Sequence, residues 1–278
     1  MDEISVVGYG TMGKGIAQLL ASKGYKVHLV GNNLKKVKDS LKDIEKNLDF
    51  LVKRKKITLN ERNRIVNNIC PCLGKKSSGK SKLIIEAVPE NLKLKKRIFK
   101  RLDSLNKKAI IATNTSSLSV KEIASACKNK KRIIGMHFFN PVHAISLVEI
   151  VKTKYNDNKT INEALEFLKS LGKKPIVVED SPGFIVNRLL IPMVNDAAFL
   201  LQNNVAAKED IDKAMKLGAN HTIGPLELAD LIGLDIVSSI MKSLNKSLGN
   251  KYKPCQLLVK MVKNKKLGRK TKEGFYKY

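Results

Sequence analysis

The spacing of apolar residues changes along this chain, and each change predicts an element. Residues 4–10 (ISVVGYG) form a continuous apolar run that ends in a glycine turn, the pattern of a strand buried on both faces. Over residues 11–23, Met12, Ile16, Leu19 and Leu20 recur on one side of a helix, and residues 26–30 give a second strand. Residues 34–54 read as a long amphipathic helix, with Val37, Leu41, Ile44, Leu48, Leu51 and Val52 on its apolar face. Thr58 and Glu61 fit a capping box that starts another helix, running to about residue 68. This helical hairpin interrupts an alternation that resumes with strands at 83–88, 109–113, 132–138, 146–151 and 175–179. Helices at 92–104, 119–126 and 160–171 separate them.

Such alternation predicts an α/β fold with a doubly wound, mainly parallel sheet of Rossmann type. After Pro182 no strand pattern remains. Helices are expected at 185–201, 208–217, 226–248 and 256–263. The expected organisation is an α/β domain over residues 1–182 and an all-α domain over 183–278.

Composition narrows the function. A chain of 278 residues has room for a substantial core, and no apolar run is long enough to span a bilayer. No secretory signal is expected from the opening residues. The formal charge of +28 points towards an anionic partner. The excess is mostly lysine spread along the whole chain, and aromatic residues make up only 5%, so stacking platforms for nucleic acid are scarce. A small anionic ligand is expected instead, with neither nucleic acid nor membrane as partner. Among Cys70, Cys72, Cys127 and Cys255, only the first two are close. Their C-P-C spacing is too tight for a usual zinc knuckle, so no metal is expected. Reduced thiols in a cytoplasm are expected.

Gly8, Gly10 and Gly13, with Thr11 and Met12 between them, match G-x-G-x-x-G in a strand–turn–helix–strand unit. The first glycine permits the turn, the second lets backbone approach a pyrophosphate, and the third lets helix and strand pack closely. The following helix N-terminus offers N–H groups and a positive dipole end to phosphates.

Further stretches are more specific: NTSSLS from Asn114, GMHFFNPV from Gly135, LVEIV from Leu147, DSPGFIVNRLLIPMVNDA from Asp180, KAMKLGANHTIGPLELADLIGLD from Lys213 and LGRKTKEGFYKY from Leu267. In this order, over essentially the whole chain, they resemble the 3-hydroxyacyl-CoA dehydrogenase family, above all its short-chain bacterial branch acting on 3-hydroxybutyryl-CoA. The resemblance implies hydride transfer between a nicotinamide cofactor and C3 of a short-chain (3S)-3-hydroxyacyl-CoA. Another acyl chain length, or a free hydroxy acid, is the alternative substrate. The second domain is then expected to complete the acyl-CoA cleft and to form a homodimer or higher assembly.

Oxidising an alcohol needs a base of near-neutral pKa, and histidine suits it. His137 closes an apolar strand, and the resemblance makes it the catalytic base. The resemblance also pairs His137 with Glu149, an acid inside apolar LVEIV that would be costly to bury alone. By the same route Ser116 and Asn187 hold the acyl group, Asn114 contacts the cofactor near the nicotinamide, and Glu90 and Lys95 contact the nicotinamide-side ribose, although a solvated helix start explains those last two equally well. Asn140 supports the substrate loop. Lys53 and Lys56, within the basic run 53–56, are matched to coenzyme A, although a solvated charged face explains any one of these lysines as well.

One position departs from the family. About 20 residues after the glycine motif, an acid ordinarily binds the adenosine ribose and repels the extra phosphate of NADP. This chain has Gly31 there, followed by Asn32 and Asn33, with Lys35 and Lys36 close behind. The expectation is NAD(H) or NADP(H) as cofactor, with a slight lean to accepting NADP(H). Two rivals stand beside this reading: a hydroxy-acid dehydrogenase without coenzyme A, disfavoured by the HFFNP histidine, and a non-catalytic nucleic-acid binder.

Overall fold

The computed structural model describes residues 2–74 and 76–278. Strand β1 (Glu3–Val7), helix α1 (Thr11–Ser22) and strand β2 (Lys26–Gly31) form the opening unit. The hairpin of α2 (Leu34–Lys53) and α3 (Leu59–Asn67) follows. Then come β3 (Ile69–Leu73), β4 (Leu83–Glu86), α4 (Leu92–Leu105), β5 (Ile110–Thr113), α5 (Val120–Ala124), β6 (Ile133–Phe138), β7 (Leu147–Lys152), α6 (Asn158–Ser170) and β8 (Lys174–Glu179). These strands make one sheet in the order β3-β2-β1-β4-β5-β6-β7-β8. Every pairing is parallel except β6 with β7.

The chain leaves β1 in opposite directions across the sheet, to β2 on one side and β4 on the other. Open α/β sheets bind ligands at such a switch point, beyond the carboxyl ends of the strands. Val7, Glu86 and Thr113 are in register at that edge, and His137 is the last residue but one of β6, two past the register partner of Thr113.

Both faces of the sheet are covered, which explains the unbroken apolar runs of β1, β4 and β6. On one face, Ile4, Val6 and Leu29 pack with Ile16 and Leu20 of α1, Ile44 and Leu48 of α2, and Leu168 of α6. On the other, Val7, Ile84 and Ile111 pack with Phe99 and Leu102 of α4 and Ile123 of α5. Phe99 is fully buried; truncating a phenylalanine in such a core to alanine costs about 3–5 kcal/mol.

Helix starts follow the local chemistry. Asn33 caps α2 by accepting from the Lys36 N–H, and Thr58 with Glu61 completes the expected capping box. Such caps stabilise a helix by about 1 kcal/mol. Strand β3 was not foreseen, because Pro71 removes a ladder donor from its short run ICPCL. It exists as the outermost strand, where a missing N–H is tolerated.

The chain divides into two compact units, one ending at Asp180 and the other running from Ser181 to Tyr278. The second is helical: α7 (Val186–Gln202), α8 (Lys208–Gly218), α9 (Pro225–Ile232), α10 (Leu234–Leu248) and α11 (Gln256–Lys263). Its core gathers Ile191, Val194, Leu226, Val237, Met241 and Leu258. The single helix expected over 226–248 is two helices. Gly233 between them has φ +102, a conformation that ends α9 before α10 begins. No helix among the described residues is long and apolar enough to cross a membrane.

Candidate active site

The glycine motif closes the β1–α1 turn at the switch point. Gly8 has φ +126, and a Cβ there would run into the carbonyl of Ala87, which follows β4. A Cβ on Gly13 would run into the carbonyl oxygen of Gly8. At Gly10 a Cβ would meet nothing within 4 Å. The two outer glycines therefore serve close packing, and the middle one leaves backbone open to an approaching group. The first turn of α1 carries no acidic side chain, and Gly10 caps it without a side-chain hydrogen bond. Exposed N–H groups and an uncompensated dipole end suit a pyrophosphate, so the turn fits a dinucleotide. Thr11 is exposed beside it and Met12 is half-buried.

At Gly31, the space of a side chain is already taken. A Cβ would collide with a methyl of Val37 and come within 2.6 Å of Cδ1 of the Tyr9 ring. The Tyr9 hydroxyl donates to Asn32 Oδ1 at 3.1 Å. The aromatic ring thus fills the place where an acidic side chain would start. Lys35 and Lys36 follow, both exposed.

His137 and Glu149 lie directly opposite one another in the antiparallel β6–β7 pair. His137 Nδ1 is 2.7 Å from Glu149 Oε2, and both residues are buried. The Phe139 ring packs on the imidazole, with centroids 4.4 Å apart. A buried carboxylate on Nδ1 fixes the tautomer and supports the charged ring.

The neighbouring strand ends hold a second charged group. Glu86, fully buried at the end of β4, accepts from Lys95 Nζ at 2.8 and 3.0 Å, from the Thr113 hydroxyl at 2.8 Å and from the Val88 N–H at 2.7 Å. Burial pushes the Glu86 carboxyl up, while the Lys95 ammonium and these donors pull against it. Lys95 also reaches Glu90 Oε2 at 3.4 Å. Glu90 Oε1 accepts from the Thr115 hydroxyl at 2.6 Å and from the N–H groups of Ser116 and Ser117 at 3.0 Å. Burial works to raise the Glu90 carboxyl, but Lys95 and these donors outweigh it and hold it below the usual range. Asn114 accepts from the Phe138 N–H at 2.9 Å through Oδ1, tying the end of β5 to the residue after His137.

The expected residues thus fall into groups. Glu90, Lys95 and Ser116 share one network, Asn114 touches the strand of His137, and His137 holds Glu149. Asn140 lines a cleft of about 320 Å³ together with Thr11, Lys14, Asp43, Asn47 and His143. Lys53 and Lys56 are exposed at the hairpin tip with Lys55 and Arg54, whose guanidinium stacks on Phe50. Asn187 is buried in the first turn of α7, in the second unit. Sequence reasoning missed Glu86 as the anchor of the network. Its signal was the one that marked Glu149: an acid inside an apolar strand.

Comparison with known proteins gives a consistent picture. The model of the 3-hydroxyacyl-CoA dehydrogenase NAD binding domain matches residues 3–181, and that of the 3-hydroxyacyl-CoA dehydrogenase C-terminal domain matches residues 183–278. The 3-hydroxybutyryl-CoA dehydrogenase of Clostridioides difficile is 46% identical over 99% of both chains. The mitochondrial hydroxyacyl-coenzyme A dehydrogenase of Mus musculus is 42% identical over 99% of this chain and 90% of its own. Among solved structures, (S)-3-hydroxybutyryl-CoA dehydrogenase PaaH1 from Ralstonia eutropha superposes with a TM-score of 0.94 at 40% identity, covering 100% of this chain and 99% of its own.

Proposed function

The chain belongs to the 3-hydroxyacyl-CoA dehydrogenase family, and from that premise we propose that it interconverts a short-chain (3S)-3-hydroxyacyl-CoA and its 3-ketoacyl-CoA. The four-carbon pair, 3-hydroxybutyryl-CoA and acetoacetyl-CoA, is the proposed substrate, as the names of the most similar relatives suggest. The observation that carries the reading is the buried His137–Glu149 pair at the carboxyl edge of a nucleotide-binding sheet.

A nicotinamide cofactor held at the glycine turn would supply or accept the hydride at C3. The chain's own residues handle the proton and the alignment. With Nδ1 facing the Glu149 carboxylate, proton transfer runs through Nε2: in oxidation it takes the C3 hydroxyl proton, and in reduction it returns one to the carbonyl oxygen. Glu149 keeps Nδ1 protonated and stabilises the imidazolium formed in oxidation. Ser116 and Asn187 hold the acyl oxygen by hydrogen bonds. Glu90 and Lys95 set the ribose edge of the cofactor and Asn114 its nicotinamide edge. Asn140 shapes the loop after β6, and Lys53 and Lys56 take phosphate charge of coenzyme A.

Family membership supports a nicotinamide dinucleotide cofactor, seated on Gly8, Gly10, Thr11, Met12 and Gly13. The finer proposal is that NADP(H) is accepted at least as well as NAD(H). At Gly31 and Asn32 no carboxylate repels a 2′-phosphate, and Lys35 and Lys36 stand exposed nearby. The second unit is the proposed dimer face, where Leu231 and Ile236 lie exposed on α9 and α10.

The test is reduction of acetoacetyl-CoA by the purified protein, with NADH and NADPH in parallel and free acetoacetate as control. The proposal expects turnover of the thioester with both cofactors and little with the free acid. Turnover only with free hydroxy or keto acids would refute it.

A further inference from the structure

Cys70 and Cys72 are two residues apart on β3, so strand alternation turns both side chains to one face of the sheet. His28 of β2 is the register partner of Cys70. The Cys72 sulfur lies 3.7 Å from the Cys70 sulfur and 3.5 Å from His28 Nδ1. All three ligand atoms fall within 4.8 Å of one another. Two thiolates and one imidazole nitrogen around a tetrahedral zinc ion, at bond lengths of about 2.3 and 2.05 Å, stand about 3.8 Å (S to S) and about 3.6 Å (S to N) apart. The two separations from the Cys72 sulfur match these edges closely, and the third, from the Cys70 sulfur to His28 Nδ1, lies within 4.8 Å.

A second feature points the same way. His28 Nε2 is 3.2 Å from the carboxylate of Glu3 on β1. A carboxylate on the far ring nitrogen places the proton there and turns the lone pair of Nδ1 towards a metal, the usual outer support of a histidine ligand. Access is open: Cys70 is exposed, and His28 and Cys72 are half-buried. A disulfide fits less well. Residues two apart on a strand have Cα atoms about 6.6–6.8 Å apart, at the far end of what a disulfide spans. The expectation of no metal rested on the C-P-C spacing alone, which cannot show the histidine of the adjacent strand.

We propose that His28, Cys70 and Cys72 form a binding site for a thiophilic divalent cation, zinc in the first place, with water as fourth ligand. Both thiols lose their protons as the zinc–sulfur bonds form, no electron is transferred, and the two thiolates balance the charge of the ion. The ion would join the outermost strand to β2, near the Gly31 end of the cofactor site.

The experiment uses the whole chain, stripped with a chelator and kept reduced with a phosphine. Cobalt(II) is titrated first and then displaced by zinc. The proposal expects a thiolate-to-cobalt charge-transfer band saturating at about one equivalent, with release of about two protons. Zinc should raise the melting temperature. Cys70→Ser and Cys72→Ser should each weaken binding by at least about 100-fold, and Glu3→Gln by about 10-fold, as loss of an outer partner does. Cys70 is exposed, so its variant should keep the far-ultraviolet circular dichroism of the parent. Absence of the band, or unchanged affinity in Cys70→Ser, would each overturn the proposal.

Discussion

His137 on β6 and Glu149 on β7 face one another across an antiparallel step of the sheet, with Nδ1 and Oε2 2.7 Å apart and both residues buried. The pairing follows from strand register, so the carboxylate holds the imidazole without a flexible loop. Glu149→Gln keeps size and one hydrogen-bonding oxygen but removes the charge that supports the imidazolium. Turnover of acetoacetyl-CoA should fall by about 10²–10⁴-fold, the range of acid–base assistance, with the melting temperature nearly kept. A loss smaller than threefold would remove Glu149 from the mechanism.

The Lys95–Glu86 pair makes a different prediction, about stability. Both side chains are essentially excluded from water. Lys95→Met strands a buried carboxylate and should cost about 3–5 kcal/mol in denaturant unfolding. Replacing both partners by apolar residues of similar size should cost much less. A double variant that loses as much as the two single variants added together would show that the two side chains act independently.

At Gly31, restoring an acid is not a simple exchange. The Tyr9 ring and Val37 occupy the space, so Gly31→Asp alone should destabilise the protein by about 1–3 kcal/mol, as overpacking does, and bind both cofactors poorly. Combined with Tyr9→Gly, the same change should favour NADH over NADPH in kcat/KM. A stable single variant with clean NADH preference would show that the ring does not control this site.

Asp103 sets part of the acid limb of stability. Burial works to raise its carboxyl, but the Arg132 guanidinium at 2.6 Å and the Lys128 N–H hold it below the ordinary value. A depressed carboxylate pKa stabilises the fold above the unfolded value of about 4 and loses that contribution as pH falls through the folded value. Asp103→Asn should therefore lower stability at neutral pH and flatten its decline below about pH 4, seen in urea unfolding at stepped pH. Parallel curves for parent and variant would contradict this.

Much of the fold was legible because local patterns and burial agreed. The apolar runs of β1, β4 and β6 are buried on both faces, and the Thr58–Glu61 capping box starts α3 as its spacing requires. Strand β3 was hidden by Pro71, acceptable only because the strand has no outer neighbour. The break at Gly233 was hidden because the apolar spacing continues across it. Within the site, spacing gave the glycine turn and motif resemblance gave His137 with Glu149. The filling of the Gly31 space by Tyr9 and the convergence of Lys95 on both Glu86 and Glu90 depend on contacts across elements, which a linear pattern does not carry.

The most direct test of the central claim is His137→Gln, measured twice on one preparation: steady-state reduction of acetoacetyl-CoA, and binding of the reduced cofactor by its fluorescence. The account predicts a loss of turnover of at least about 10²-fold with cofactor affinity within about twofold of the parent. Turnover close to the parent would contradict His137 as the group that moves the proton.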